Sequence, residues 1–241
     1  MNLYLFPTFA TLKNGYGIAV ESDFRRCSPS NKDMVVWRDT NSISSALYVK
    51  NDDYIIKQNP FISFASIINT LKRTNRSEVL KSDLSFLKDK DFDYIFCGDV
   101  CFYNAIRRIF PNKHIAVRFH NCFARIFDRK HLLKRSLDLV YTITLSNMHH
   151  LETRIFNDSM VEKIFISAED RNYYTLHYGR FNDSRIWNIS PKIPMMNMNL
   201  HKLLNTSPKL VWFGGVESHK KASVEWFINK VFPKIKNKTL R

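Results

Sequence analysis

Residues 94–121 read YIFCGDVCFYNAIRRIFPNKHIAVRFHN. Tyr94-Ile95-Phe96-Cys97 is a short apolar run closed by Gly98, and the pattern around Val100 to Phe110 is helical. Pro111-Asn112 is a turn, after which His114-Ile115-Ala116-Val117-Arg118-Phe119 forms a second short apolar run. Two brief strands joined by a helix make a βαβ unit, so the two strands run parallel and the crossover is right-handed.

The same reading extends in both directions. Leu3–Phe6 and Met34-Val35-Val36-Trp37 are expected strands before it. Lys163-Ile164-Phe165-Ile166 is an expected strand after it, with Ser167 at its carboxyl end. Ser167 followed by Asp170 is a helix start, so a helix is expected from Ala168 to Thr175. Lys209-Leu210-Val211-Trp212-Phe213 is a further strand, ending in Gly214-Gly215. Ala222–Phe232 is a helix with Val224, Phe227, Ile228 and Val231 on one face. Strands that alternate with helices predict an α/β fold: a Rossmann-like, doubly wound parallel sheet covered on both faces. Ser190-Pro191, Ile193-Pro194 and Ser207-Pro208 mark a boundary. The expected organisation is a domain over 1–200 and the start of a second over 201–241, where one strand and one helix cannot close a core of their own.

At 241 residues the chain suits one or two domains. Its 6 glycines exclude collagen-like and glycine-rich disordered classes. Cys27, Cys97, Cys101 and Cys122 are too few for a disulfide scaffold and lack zinc-knuckle spacing. A reduced setting, the cytoplasm, is expected. No apolar stretch approaches the length of a membrane helix. Net charge is +15, and it is localised. Residues 107–135 hold nine basic residues against Asp128, and residues 219–241 hold seven against Glu225. These are +8 and +6, leaving +1 elsewhere. Two basic patches on a neutral body suggest an anionic partner or, more simply, a solvated face.

Ligands of doubly wound sheets bind at the carboxyl ends of the strands, which makes the residues there the candidates for chemistry. Asn14-Gly15-Tyr16-Gly17 follows the first strand and lets backbone approach a ligand, with helix amides suited to phosphate. As a dinucleotide fingerprint it is imperfect, because Val20 takes the third glycine position, although Asp39 lies at a suitable distance to hold a ribose. Arg118, His120 and Asn121 end another strand, and His120 suits hydrogen bonding or acid–base work near neutral pH. Ser167, Glu169 and Arg171 form a third cluster, in which Ser167 reads first as a cap. Gly214 and Gly215, followed by Lys220 and Lys221, suit a diphosphate. His149, His150 and Glu152 do not form a zinc motif.

Taken in order, the Asn14–Gly17 loop, the Arg118–Asn121 strand end, Ile164–Arg171, and Leu210–Gly215 with Val224–Ile235 resemble the GT-B fold glycosyltransferases of the broad family 4 (group 1). The resemblance implies the amino-terminal, acceptor-side half of such an enzyme. It implies retaining transfer of a sugar from a nucleotide-sugar, without a metal or other cofactor, to a glycan or lipid-diphosphate acceptor in bacterial surface-polysaccharide synthesis. By the same resemblance Gly15 and Gly17 border the donor phosphates, His120 is the catalytic-side residue near the transferred sugar, and Gly214 faces the nucleotide diphosphate. Residues Arg107–Arg135 would lean toward anionic lipid at the inner face of the cell membrane. The family's donor-binding core lies beyond the position of Arg241, so the expectation is a chain inactive alone, with a separate chain able to supply the second domain. Two other classes stay open: a non-enzymatic polyanion or nucleic-acid binder, disfavoured by the absence of a nucleic-acid motif, and a nicotinamide enzyme.

Overall fold

The computed structural model describes residues 1–7, 15–39, 50, 52–57, 81–122, 125, 139–181, 183–189 and 224–234. The chain divides into two compact units, Met1–Lys192 and Ile193–Arg241.

The first unit holds seven strands: β1 (Asn2–Phe6), β2 (Met34–Asp39), β3 (Tyr54–Lys57), β4 (Tyr94–Cys97), β5 (Ile115–Phe119), β6 (Val161–Phe165) and β7 (Ser184–Ile186). They pair in the order β3-β2-β1-β4-β5-β6-β7, and every pairing is parallel. This is the expected Rossmann-like α/β sheet. Among the described residues four α-helices accompany it: α1 (Gly15–Cys27), α2 (Tyr103–Ile109), α3 (Leu139–Asn157) and α4 (Ala168–Tyr178). A tight 3₁₀ turn over Val100–Phe102 leads into α2. The expected helix from Val100 is thus real, and its first turn is wound more tightly.

Both faces of the sheet are covered, which is why the central strands are largely apolar rather than alternating, with Arg118 in β5 the charged exception. On one face Leu3, Leu5, Ile95, Cys97, Ile115, Val117 and Phe119 pack with Tyr103 and Ile106 of α2, Leu151 and Ile155 of α3, and Tyr174 of α4. On the other, Tyr4, Phe6, Trp37, Phe96, Ala116 and Ile164 pack with Val20 and Phe24 of α1. The fully buried Trp37 ring stacks on Phe6 at 4.8 Å and on Phe24 at 5.3 Å. A ring buried and stacked in this way contributes about 1.5–3 kcal/mol by area, plus roughly 0.5–1.5 kcal/mol from the aromatic geometry.

Gly98 ends β4 under steric compulsion. Its amide donates to the Leu5 carbonyl at 2.7 Å, and a Cβ there would stand 2.7 Å from that same oxygen. The glycine therefore lets β4 lie close to the end of β1.

Four of the described elements were not expected from the sequence: β3, β7, α3 and a 3₁₀ helix over Lys81–Leu87. The strand expected over 163–166 is observed at Val161–Phe165. In the second unit the strand expected over 209–213 lies outside the described residues. The helix expected to 232 is described over 224–234, as a helical turn, a widened π turn over Phe227–Val231 and a 3₁₀ turn over Phe232–Lys234. Val224, Phe227 and Val231 of its expected apolar face are half-buried, and Ile228 is exposed. Among the described residues, no helix is long and apolar enough to cross a membrane.

Candidate functional site

The strand order reverses direction between β1 and β4, and a crevice opens at such a switch point outside the carboxyl ends of the two strands. Gly98 and Asp99 stand at the end of β4, and the first turn of α1 carries Gly15, Tyr16 and Gly17. His120 follows β5, the next strand over. Ser167 follows β6, one strand further, so Gly15, His120 and Ser167 share one rim of the sheet.

Periodicity gathers the site. Side chains two apart on a strand share a face, so Ala116, Arg118 and His120 all turn toward α1. On α1, Tyr16, Val20 and Asp23 are spaced by four and three, one helical stripe facing back. The result is a compact charged cluster beneath the crevice.

Arg118 lies at its base and is fully buried. Its Nε donates to Asp23 Oδ2 at 3.0 Å, and its two terminal nitrogens donate to the carbonyls of Phe165 (2.8 Å) and Trp187 (2.6 Å). The guanidinium also sits over the Trp187 ring. The ligand contact expected of Arg118 gives way to a positioning role: it is buried, bonds protein through all three of its nitrogens, and ties α1 to the ends of β6 and β7. Desolvation pushes the Asp23 carboxyl up and the Arg118 guanidinium down, each opposed by the partner's charge.

His120 sits above this pair with its side chain only 3% exposed. Its Nε2 is 2.8 Å from the Gly98 carbonyl and 3.6 Å from Asp23 Oδ2. A carbonyl oxygen only accepts, so Nε2 must carry the proton. Neutral His120 therefore presents a lone pair at Nδ1, and that buried atom has no hydrogen-bond partner among the described residues. Burial is the main force that holds the imidazole below its ordinary value of about 6.5. Asp23, Asp99 and the Gly98 carbonyl oppose this, and Arg118 adds to it. The neutral form, an acceptor, is the one present at neutral pH.

Tyr16 completes the cluster. Its hydroxyl donates to Asp99 Oδ2 at 2.7 Å, and its ring meets His120 edge-on at 5.0 Å. Behind the rim, the Tyr174 hydroxyl contacts the Asn121 carbonyl at 3.1 Å and also bonds the buried Glu152. This fixes the turn that carries His120. Tyr174 and Glu152 are thus structural supports of the site.

The remaining candidates divide clearly. Gly15 and Gly17 lie within α1 itself rather than in a loop before it. Ser167 caps α4, its hydroxyl accepting from the Asp170 amide at 3.1 Å. Glu169 is exposed on the first turn of α4, and the Arg171 amide donates to the Ser167 carbonyl. Asn121 is exposed, with its carbonyl held by Tyr174. Asn14, Gly214 and Gly215 lie outside the described residues. Asp39 ends β2.

The basic stretch is less free than its charge suggests. Arg107 pairs with Asp158 at 2.7 Å and donates to the carbonyls of Phe110, Pro111 and Lys113, while Lys113 pairs with Asp91 at 2.6 Å. Among the described residues no cluster of three or more His, Cys, Asp or Glu is arranged to hold a metal ion. The four cysteines are free thiols, and burial pushes each of them up, away from the reactive thiolate. Asp23 and Asp99 were not among the sequence candidates, and Tyr16 stood there only as part of the Asn14–Gly17 motif. An arginine inside an otherwise apolar strand was the available signal, because a buried cation demands an acidic partner.

No protein-family model matches this chain, and no curated protein matches it.

Proposed function

We propose that this chain is the acceptor-side, Rossmann-like part of a GT-B glycosyltransferase of the family 4 type, working with a nucleotide-sugar donor in surface-polysaccharide synthesis at the cytoplasmic face of a membrane. The observation that carries the reading is the His120 imidazole. Its Nε2 proton is committed to Gly98, and its Nδ1 is left as a buried acceptor beside the switch-point crevice. An acceptor in a water-poor site wants a hydroxyl or amine donor, and a sugar supplies hydroxyls in ordered pairs. The adjoining Asp99 carboxylate has the same preference.

The polyanion reading gains nothing at this site. Arg118 is neutralised by Asp23, Asp99 adds negative charge, and neutral His120 offers no proton at Nδ1. The nicotinamide reading loses support too: both glycines of its fingerprint lie inside α1, and the buried Val20 occupies the third position.

The test is a calorimetric titration of the purified chain with UDP-glucose, UDP-N-acetylglucosamine and GDP-mannose, and with a short-chain lipid-diphosphate saccharide. Binding of at least one, weakened about tenfold or more by His120→Ala, is expected. If none binds the wild-type chain, and none binds when a second-domain chain is added, the assignment fails.

A further inference from the structure

The Tyr16–Asp99 bond connects the two sides of the crevice directly. Tyr16 belongs to the first turn of α1, after β1, and Asp99 follows β4. Asp99 is itself well fixed. Its backbone is extended, and its Oδ1 accepts from the Cys101 amide at 2.9 Å, capping the turn that leads into α2. One carboxylate oxygen is thus committed to the fold, and the other is aimed across the switch point at Tyr16.

Three facts make this contact more than packing. The Tyr16 ring is 37% exposed, so it lies at the mouth, while the His120 side chain behind it is 3% exposed. His120 Nδ1 is a buried acceptor without a partner among the described residues. The tyrosine hydroxyl gives Asp99 the kind of bond that a ligand hydroxyl would give. Resting on the carbohydrate reading above, we propose that Asp99 is a second hydroxyl anchor of the crevice and that Tyr16 is its latch. The phenol occupies Asp99 in the empty protein and screens His120, and a bound diol replaces it with one hydroxyl on Asp99 and a neighbouring one on His120 Nδ1.

This arrangement selects its ligand. Two neighbouring acceptors recognise a pair of hydroxyl donors, which a phosphate does not supply to these two atoms. The diol edge of the sugar belongs here, and the charged part of a nucleotide-sugar belongs elsewhere. Opening the latch moves one partly exposed side chain and breaks one hydrogen bond, so the closed state is favoured by roughly ten- to a hundredfold, the range of a charge-assisted bond.

Diethyl pyrocarbonate acylates the unprotonated imidazole nitrogen, and mass spectrometry reads the rate at each histidine. In the full chain without ligand, His120 is expected to react at least tenfold more slowly than the exposed His150. Tyr16→Phe keeps the ring but loses the bond, and Asp99→Asn keeps the cap through its amide oxygen while losing the charge. Both should accelerate His120 several-fold and leave His150 unchanged, and Tyr16→Ala should accelerate it further. Unchanged rates in all three variants, with wild-type circular dichroism, would overturn the latch. In a second arm, methyl glycosides and the nucleotide-sugar panel are titrated: Tyr16→Phe should bind more tightly than wild type and Asp99→Asn more weakly. Equal binding by these two variants removes Asp99 as an anchor. Accelerated labelling with no carbohydrate bound by any form leaves the latch standing and removes the carbohydrate reading.

Discussion

The buried Arg118–Asp23 pair offers a quantitative test of how the site is built. Arg118→Met removes the guanidinium from a site with no exposure and strips Asp23, 3% exposed, of its ion-pair partner, leaving near it among the described residues His120 at 3.6 Å and the charge of Arg26. An uncompensated buried charge costs about 3–5 kcal/mol. Of the two carbonyls that Arg118 serves, Phe165 keeps a second donor in the Trp187 amide at 2.8 Å, so only the Trp187 carbonyl is orphaned. One unmade bond adds roughly 1 kcal/mol, for a total of about 4–6 kcal/mol. Asp23→Asn likewise leaves the buried Arg118 cation without its counter-charge, at about 3–5 kcal/mol, although its amide oxygen still accepts from Arg118 Nε. The double variant strands no charge and should cost only about 1–2 kcal/mol, far below the sum of the singles. The coupling is therefore roughly 4 kcal/mol or more, well above the ~0.5 kcal/mol scatter of independent sites. Urea unfolding of the four proteins, with Arg118→Lys as a charge-keeping control, measures it. Additive costs within that scatter would refute the claim that this pair acts as one unit beneath His120.

Two further outcomes follow from the same geometry. Burial lowers the His120 pKa in the folded state, so the unfolded chain takes up a proton in the window just below pH 6.5; stability is lost as pH falls through that window, and His120→Gln should flatten this part of a Tm-against-pH curve. Gly98→Ala drives a Cβ to 2.7 Å from the Leu5 carbonyl, so a loss of about 1–3 kcal/mol is expected in thermal or urea unfolding, and an unperturbed protein would mean that β1 and β4 are not held at this separation.

The fold was legible because its central strands are short apolar runs bounded by Gly98, Pro111-Asn112 and Ser167. Burial on both faces leaves that signal unbroken. The edges were not. Tyr54 and Ile55 are exposed and Ile56 half-buried, Ser184 and Ile186 are half-buried around an exposed Arg185, and nothing local distinguishes such runs from loop. They are strands because β2 and β6 offer them a parallel edge. Residues 139–157 mix β-branched Thr142, Ile143 and Thr144 with two histidines, a poor helical sequence on propensity. Leu151 and Ile155 hold it in place by packing on the sheet.

The site shows the complementary limit. Ser167 was readable as a cap because capping is local, a hydroxyl and an amide three residues apart. His120 was readable as a candidate because strand ends of such sheets meet ligands. Its chemistry was not readable, because it is set by the Gly98 carbonyl 22 residues away, by Asp23 on another element, and by Tyr16 and Asp99, which bond across 83 residues. Strand period and helix period together bring Arg118, His120, Tyr16 and Asp23 to one interface, but only once β5 is known to lie under α1. The arginine in β5 was the clue in plain view. A fully buried cation has to find a carboxylate, and the carboxylate it finds is the one that also borders the histidine. Burial, working against the charges of Asp23 and Asp99, keeps the imidazole neutral, and the Gly98 carbonyl holds the proton on Nε2, so Nδ1 accepts and the crevice admits ligands that donate.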